Sequence, residues 1–147
     1  MRRAPRLLVL LAWACHPAPI ASCQDDLSGV WAADDGRRFH VLDRGSVVEV
    51  YPLFDPLAAH GDKQARPWRT PGKTELTRRE GVLSGTTTFQ AQDLHACTVV
   101  TPARMDGCGG DRAMLVIDLD PALDASGCAA LPRAVPPLTI QRRSTGL

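Results

Sequence analysis

Cysteines and one histidine are the residues whose spacing suggests chemistry most directly. His95 and Cys97 are two positions apart, so in a strand their side chains point to the same face. With Cys108 and Cys128 they could form a Cys3His zinc site, since thiolate and imidazole are the usual ligands of structural zinc. The close C-x2-C pairs typical of such sites are absent. We therefore predict that the cysteines form disulfides and that the protein holds no metal or other cofactor.

Candidate nucleophiles and bases do not form a recognisable catalytic motif. Ser84 lies in the run Val82-Leu83-Ser84-Gly85, which lacks the G-x-S-x-G pattern of a nucleophile elbow. His40, His60 and His95 are possible bases, but no spacing connects any of them to a serine or cysteine. The sequence favours a non-catalytic protein. The enzymatic alternative is a disulfide-bonded exported hydrolase that uses a histidine near the long predicted loop.

The first 22 residues have the three parts of a secretory signal peptide. Arginines at positions 2, 3 and 6 precede an apolar run from Leu7 to Ala14, and small residues follow it. The apolar run is too short for a membrane-spanning helix. We expect residues 1–22 to be a signal peptide and the protein to be exported.

The leader ends in Ile20-Ala21-Ser22-Cys23, an order of aliphatic, small, small and cysteine residues. This order resembles the lipobox of bacterial lipoproteins, whose cysteine is acylated when the signal peptide is cleaved. The resemblance implies a lipid anchor at Cys23, a lipidated or flexible tether over residues 23–27, and a location at the bacterial cell envelope. Ordinary cleavage after Ala21 or Ser22, which would release a soluble exported protein, is the alternative.

Export places the cysteines in an oxidising compartment, where disulfides are the default. We predict a bond between Cys108 and Cys128, which would join a Gly-rich turn predicted over Met105–Asp111 to the irregular segment before the last strand. Cys97 is the alternative partner of Cys108. Acylation of Cys23 would leave an odd number of cysteines, whereas an unmodified Cys23 would allow two bonds in any of three connectivities.

Short runs of alternating apolar and polar residues, separated by Gly, Pro and Asp, predict β-strands and little helix. Eight such runs lie in a single domain over residues 28–143, followed by a frayed tail at 144–147. The stretch Pro52–Gly72 holds no periodic run and is expected to be a long loop. The pattern predicts an all-β fold of about eight short antiparallel strands, arranged as a closed or partly open barrel or as a sandwich.

The first and last predicted strands carry a further pattern. Gly29-Val30-Trp31 begins the first strand, and Arg142 lies in the last strand on the same face as Leu138 and Ile140. The arrangement resembles that of lipocalins, in which a G-x-W motif on the first strand packs beside an arginine near the end of the barrel. The resemblance implies a lipocalin-like barrel in which Arg142 covers Trp31 through a cation–π contact.

If the barrel closes, alternation assigns one set of side chains to its interior, where they line a ligand site or form the core. The set is Trp31, Phe39, Val41, Val48, Val50, Leu115, Ile117 and Arg142. We expect the protein to bind a small apolar ligand or a partner protein at the envelope. A purely structural envelope protein is the remaining alternative.

Charge argues against a nucleic-acid partner. The chain has 17 Lys and Arg and 16 Asp and Glu, and three of the basic residues lie in the leader. The remainder has 14 basic and 16 acidic residues, a net charge of about −2, whereas phosphate binding needs clustered Lys and Arg. The expected membrane contact is through the lipid anchor at Cys23.

Overall fold

The chain folds as one sheet that closes on itself. The structure is a computed structural model and describes residues 22–53, 69–91 and 97–144. Each strand pairs antiparallel with the next, and the last pairs with the first, so the sheet is a closed barrel. The all-β prediction is confirmed in its barrel form. The strands are β1 (Gly29–Ala33), β2 (Arg38–Asp43), β3 (Val47–Leu53), β4 (Arg69–Arg79), β5 (Val82–Ala91), β6 (Thr98–Gly109), β7 (Arg112–Ile117) and β8 (Leu138–Arg143).

Several sequence predictions fall outside the described residues. They are the signal peptide up to residue 21, the part of the predicted long loop at 54–68, the two histidines His60 and His95, and the end of the tail at 145–147. These remain predictions.

β6 runs further than the sequence predicts. It continues through the glycine-rich stretch Met105–Asp111 as far as Gly109, so the turn predicted over this stretch is confined to Gly110 and Asp111. The register to β7 shifts between Asp106 and Gly109, and Gly107 has a φ of 61°. A glycine adopts this conformation without strain, and the resulting bulge keeps the strand paired.

The side chains at alternate positions of the strands point inward and fill the barrel interior. The seven apolar residues predicted to face inward are at most 2% exposed and belong to one packed cluster. They are Trp31, Phe39, Val41, Val48, Val50, Leu115 and Ile117. On β6, Val99 and Thr101 are buried while Val100 between them is 50% exposed, which is the period of two expected for a sheet with one solvated face.

The two ends of the barrel differ. We call one the sealed end; it carries the short turns and the N-terminal segment, at residues 44–46, 80–81, 110–111 and 22–28. We call the other the loop end; of the connections that the structure describes in full, it carries those at residues 34–37 and 118–137. Long connections at one end of a rigid barrel are where binding residues are most often found.

The close approach of β4 and β5 makes Gly85 essential to the barrel. A Cβ atom at this position would lie 1.9 Å from the backbone oxygen of Glu75, which is held by strand pairing. We expect Gly85→Ala to lower the free energy of unfolding by about 3 kcal/mol in denaturant titration. Ser84→Ala, at the exposed neighbouring position, should change it by less than about 0.5 kcal/mol. Equal stability of the two variants would contradict this close packing.

Candidate functional site

The N-terminal segment is bonded to the sealed end through Cys23. Its sulfur forms a disulfide with Cys108 on β6, and its backbone N–H donates to the carbonyl oxygen of Gly81 at 2.9 Å. Cys23 is fully buried and Leu27 is 2% exposed. Both ends of the predicted tether over residues 23–27 are therefore held against the barrel, whereas residues 24–26 between them are exposed.

A second disulfide, between Cys97 and Cys128, crosses the loop end. The predicted bond between Cys108 and Cys128 is wrong, and so is the alternative between Cys97 and Cys108. The Cα atoms of the two observed pairs are 4.8 Å and 5.7 Å apart, within the usual range for disulfides. All four sulfur atoms are engaged in these bonds, so no thiolate is left for the zinc site considered above.

Trp31 and Arg142 form the contact that the lipocalin resemblance implies. They are register partners across β1 and β8, and the guanidinium carbon lies 5.1 Å from the centroid of the indole ring. The indole N–H donates to the carbonyl oxygen of Leu27 at 2.8 Å, and Arg142 donates through Nη2 to the carbonyl oxygen of Asp26. The pair thus binds the N-terminal segment as well as joining the two strands.

An ion pair between Asp43 and Arg78 completes the sealed end. The side chain of Asp43 is 3% exposed, and it accepts hydrogen bonds from Arg78 Nη2 and from the backbone N–H of Leu27 at 3.0 Å. Its second oxygen accepts the N–H of Gly45 at 2.8 Å. No sequence pattern identifies this pair, because its members are on different strands and neither belongs to a motif.

At the loop end, Asp118 and Arg133 hold the segment before β8 against the barrel. Arg133 Nε donates to Asp118 Oδ2 at 2.7 Å, and Nη2 bonds both the other carboxylate oxygen and the carbonyl oxygen of Asp120. The hydrogen bonds that Arg133 donates to the Asp118 carboxylate raise the pKa of Arg133 above its usual value. A cavity of about 200 Å³ lies beside this pair, against Ile117 and Leu138 of the barrel wall.

The outer wall of the barrel carries a shallow groove of about 410 Å³ below the segment before β8. Its lining includes Ser84, Pro102, Val116 and two arginines. Arg104 and Arg133 are already paired with Asp106 and Asp118, at 3.3 Å for the first pair, so the groove offers no free positive charge to an anion. Ser84 is exposed here; of the candidate bases, His40 lies on β2, whereas His60 and His95 lie outside the described residues.

A layer of small side chains crosses the interior between the two ends. Val41, Val50, Thr74, Thr87 and Thr101 are successive register partners on β2 to β6, and each is at most 3% exposed. The hydroxyls of Thr74 and Thr87 are hydrogen-bonded to each other at 2.6 Å. The Thr101 hydroxyl is buried and has no hydrogen-bond partner among the described residues. Alternation alone predicts that these residues face inward, but it does not reveal which hydroxyl lacks a partner.

Comparisons with known proteins provide no relative for this chain. No family model matches it, and neither a curated protein nor a solved structure matches it. Over residues 22–53, 69–91 and 97–144, no three His, Cys, Asp or Glu side chains are grouped so that they could hold a metal ion. Within the same ranges no helix is long and apolar enough to cross a membrane.

Arg142 should contribute to stability through three contacts: the indole face, the Asp26 carbonyl and strand packing. We expect Arg142→Ala to lower the free energy of unfolding by about 2 kcal/mol, since a cation–π contact and a charged hydrogen bond each contribute about 1 kcal/mol. Arg143→Ala, the exposed neighbour on β8, is the control and should change it by less than about 0.5 kcal/mol. Urea titration of both variants measures the difference, and similar losses would contradict the assigned role.

Proposed function

We propose that the protein is exported to the bacterial cell envelope and works there as a non-catalytic binding barrel. The leader over residues 1–22 supports export, since it has the charge, apolar run and small residues of a signal peptide. The two disulfides add support, because such bonds persist in oxidising compartments and are rare in the bacterial cytosol.

The lipid anchor and the disulfide are alternative states of one sulfur atom. A thioether to diacylglycerol at Cys23 would occupy the atom that bonds Cys108 and would leave Cys108 as a free thiol. Because Cys23 is buried and hydrogen-bonded at the sealed end, we propose the disulfide state for the folded protein. Lipidation at Cys23 is the competing state.

The intact mass of the exported protein distinguishes these states. We expect a chain that has lost its leader, carries no lipid, and gains the mass of four hydrogens on reduction because both disulfides open. Peptide mapping without reduction should find Cys23 with Cys108 and Cys97 with Cys128. A mass increase equal to diacylglycerol, absent from Cys23→Ala, would overturn the disulfide state and establish the anchor.

The binding function rests on the difference between the two ends of the barrel. The sealed end is closed by the N-terminal segment, a disulfide and the Asp43–Arg78 pair, whereas the loop end carries the long connection over residues 118–137. An eight-stranded barrel has room for packed side chains or for one small ligand. We propose that a small apolar ligand enters from the loop end, as apolar pockets at the mouths of barrels commonly allow.

A fluorescent apolar probe tests this proposal with a matched pair of variants. N-phenyl-1-naphthylamine should bind the mature protein in a saturable manner. Val99→Trp fills the interior on the loop-end side and should weaken binding about tenfold, whereas Val100→Trp, on the outer face of the same strand, should not. Far-UV circular dichroism verifies that both variants fold. Absence of saturable binding to the unmodified protein, with no lipid retained in native mass spectrometry, would contradict the proposed function.

A further inference from the structure

The interior layer of small side chains has one unsatisfied polar atom. Val41, Val50 and the three threonines place only short, branched side chains at this level on five adjacent strands. An eight-stranded barrel has an interior that is either filled by side chains or holds one small ligand. The layer is therefore a candidate site, and Thr101 supplies its polar group.

The Thr101 hydroxyl is buried at a cost that a valine would avoid. Thr101 is 3% exposed, while its neighbour Val100 is 50% exposed, so the Thr101 side chain points into the barrel. Thr74 and Thr87 satisfy each other, and the Thr101 Oγ1 atom is left without a partner in the described part of the chain. A buried hydroxyl with no hydrogen bond is unfavourable, whereas valine has nearly the same shape and no polar atom.

Two further inward residues lie on the loop-end side of this hydroxyl. Phe89 and Val99 are register partners on β5 and β6, two positions from Thr87 and Thr101. Both are at most 2% exposed, yet neither belongs to the packed apolar cluster that contains Trp31 and Phe39. They provide an apolar wall directly above the free hydroxyl.

Accordingly, we propose that Thr101 is the polar contact of the ligand site, and that the ligand is a neutral, largely apolar molecule with one hydrogen-bonding group. This inference rests on the proposed binding function. The ligand is neutral because the buried polar side chains of the described core are the three threonines and Asp118, and Asp118 is already bonded to Arg133. A charged group placed at this layer would find no opposite charge to offset its loss of water.

Two probes that differ in a single group test the inference. N-phenyl-1-naphthylamine has one N–H that can donate to Thr101 Oγ1, and 1-benzylnaphthalene has a CH2 in its place. Quenching of tryptophan fluorescence measures the affinity of both. We expect Thr101→Val to bind the amine about fivefold to tenfold more weakly and the hydrocarbon equally well, since a single neutral hydrogen bond accounts for such a factor.

Thermal stability is a second readout, and Thr101→Val should change it in the direction opposite to its effect on amine affinity. Removing the unsatisfied hydroxyl should raise the Tm of unliganded Thr101→Val by about 4 °C. Thr101→Ser keeps the hydroxyl and should retain the amine affinity within about twofold, so the inference stays testable if the valine variant folds poorly. Thr86→Val, at an exposed position of β5, is the control and should leave the affinity for both probes unchanged.

The outcomes separate this inference from the proposed function. If both probes bind the unmodified protein and Thr101→Val leaves their affinities unchanged, Thr101 is only a core residue and the inference is wrong, while the binding function stands. A loss of amine affinity equal to the loss of hydrocarbon affinity also overturns it, since packing alone would then explain the effect. If neither probe binds the unmodified protein, the proposed function fails, and the inference fails with it.

Discussion

Closure of the barrel depends on the pairing of its first and last strands, and Trp31 and Arg142 lie within that pairing. They are register partners, and the guanidinium stacks on the indole ring. Each also binds a carbonyl oxygen of the N-terminal segment, at Leu27 and Asp26. One pair of residues therefore connects β1, β8 and the segment that closes the sealed end. Loss of this contact would weaken the strand pairing that keeps two sheet edges from solvent, and would release the segment at the same time.

The sealed end uses polar contacts that a purely apolar core would not need. Asp43 and Arg78 are taken out of water at a cost, and that cost is offset only because the carboxylate also accepts backbone N–H groups from Leu27 and Gly45. These bonds fix where the N-terminal segment lies, and the disulfide from Cys23 to Cys108 holds its first residue. The interior is thus closed at one end by directional contacts, whereas the other end carries the long segment 118–137 before β8.

Alternation and turn residues were sufficient to predict an all-β fold, because each strand with one buried face leaves a period of two in the sequence. The Trp31–Arg142 contact was also predictable, since the resemblance to lipocalins implies it and the alternation of β8 selects Arg142 as the arginine. The disulfide pairing was not, because Cys23 and Cys108 are 85 positions apart and meet only when the barrel closes. The turn predicted over Met105–Asp111 is confined to its last two residues because a bulge allows a glycine-rich stretch to remain in a strand.

The buried side chains differ in size and polarity from one level of the barrel to another, and this difference has a physical consequence. Near the sealed end, large side chains such as Leu83 and Met105 are fully buried and supply packing. At the threonine layer three hydroxyls are buried, although valine has nearly the same shape as threonine, and three valines would pack as well and would leave no hydroxyl unsatisfied. Stability therefore does not explain Thr101. A destabilising hydroxyl of this kind can persist where a bound partner forms a hydrogen bond with it. A partner could enter the barrel from the loop end, because the opposite end is closed.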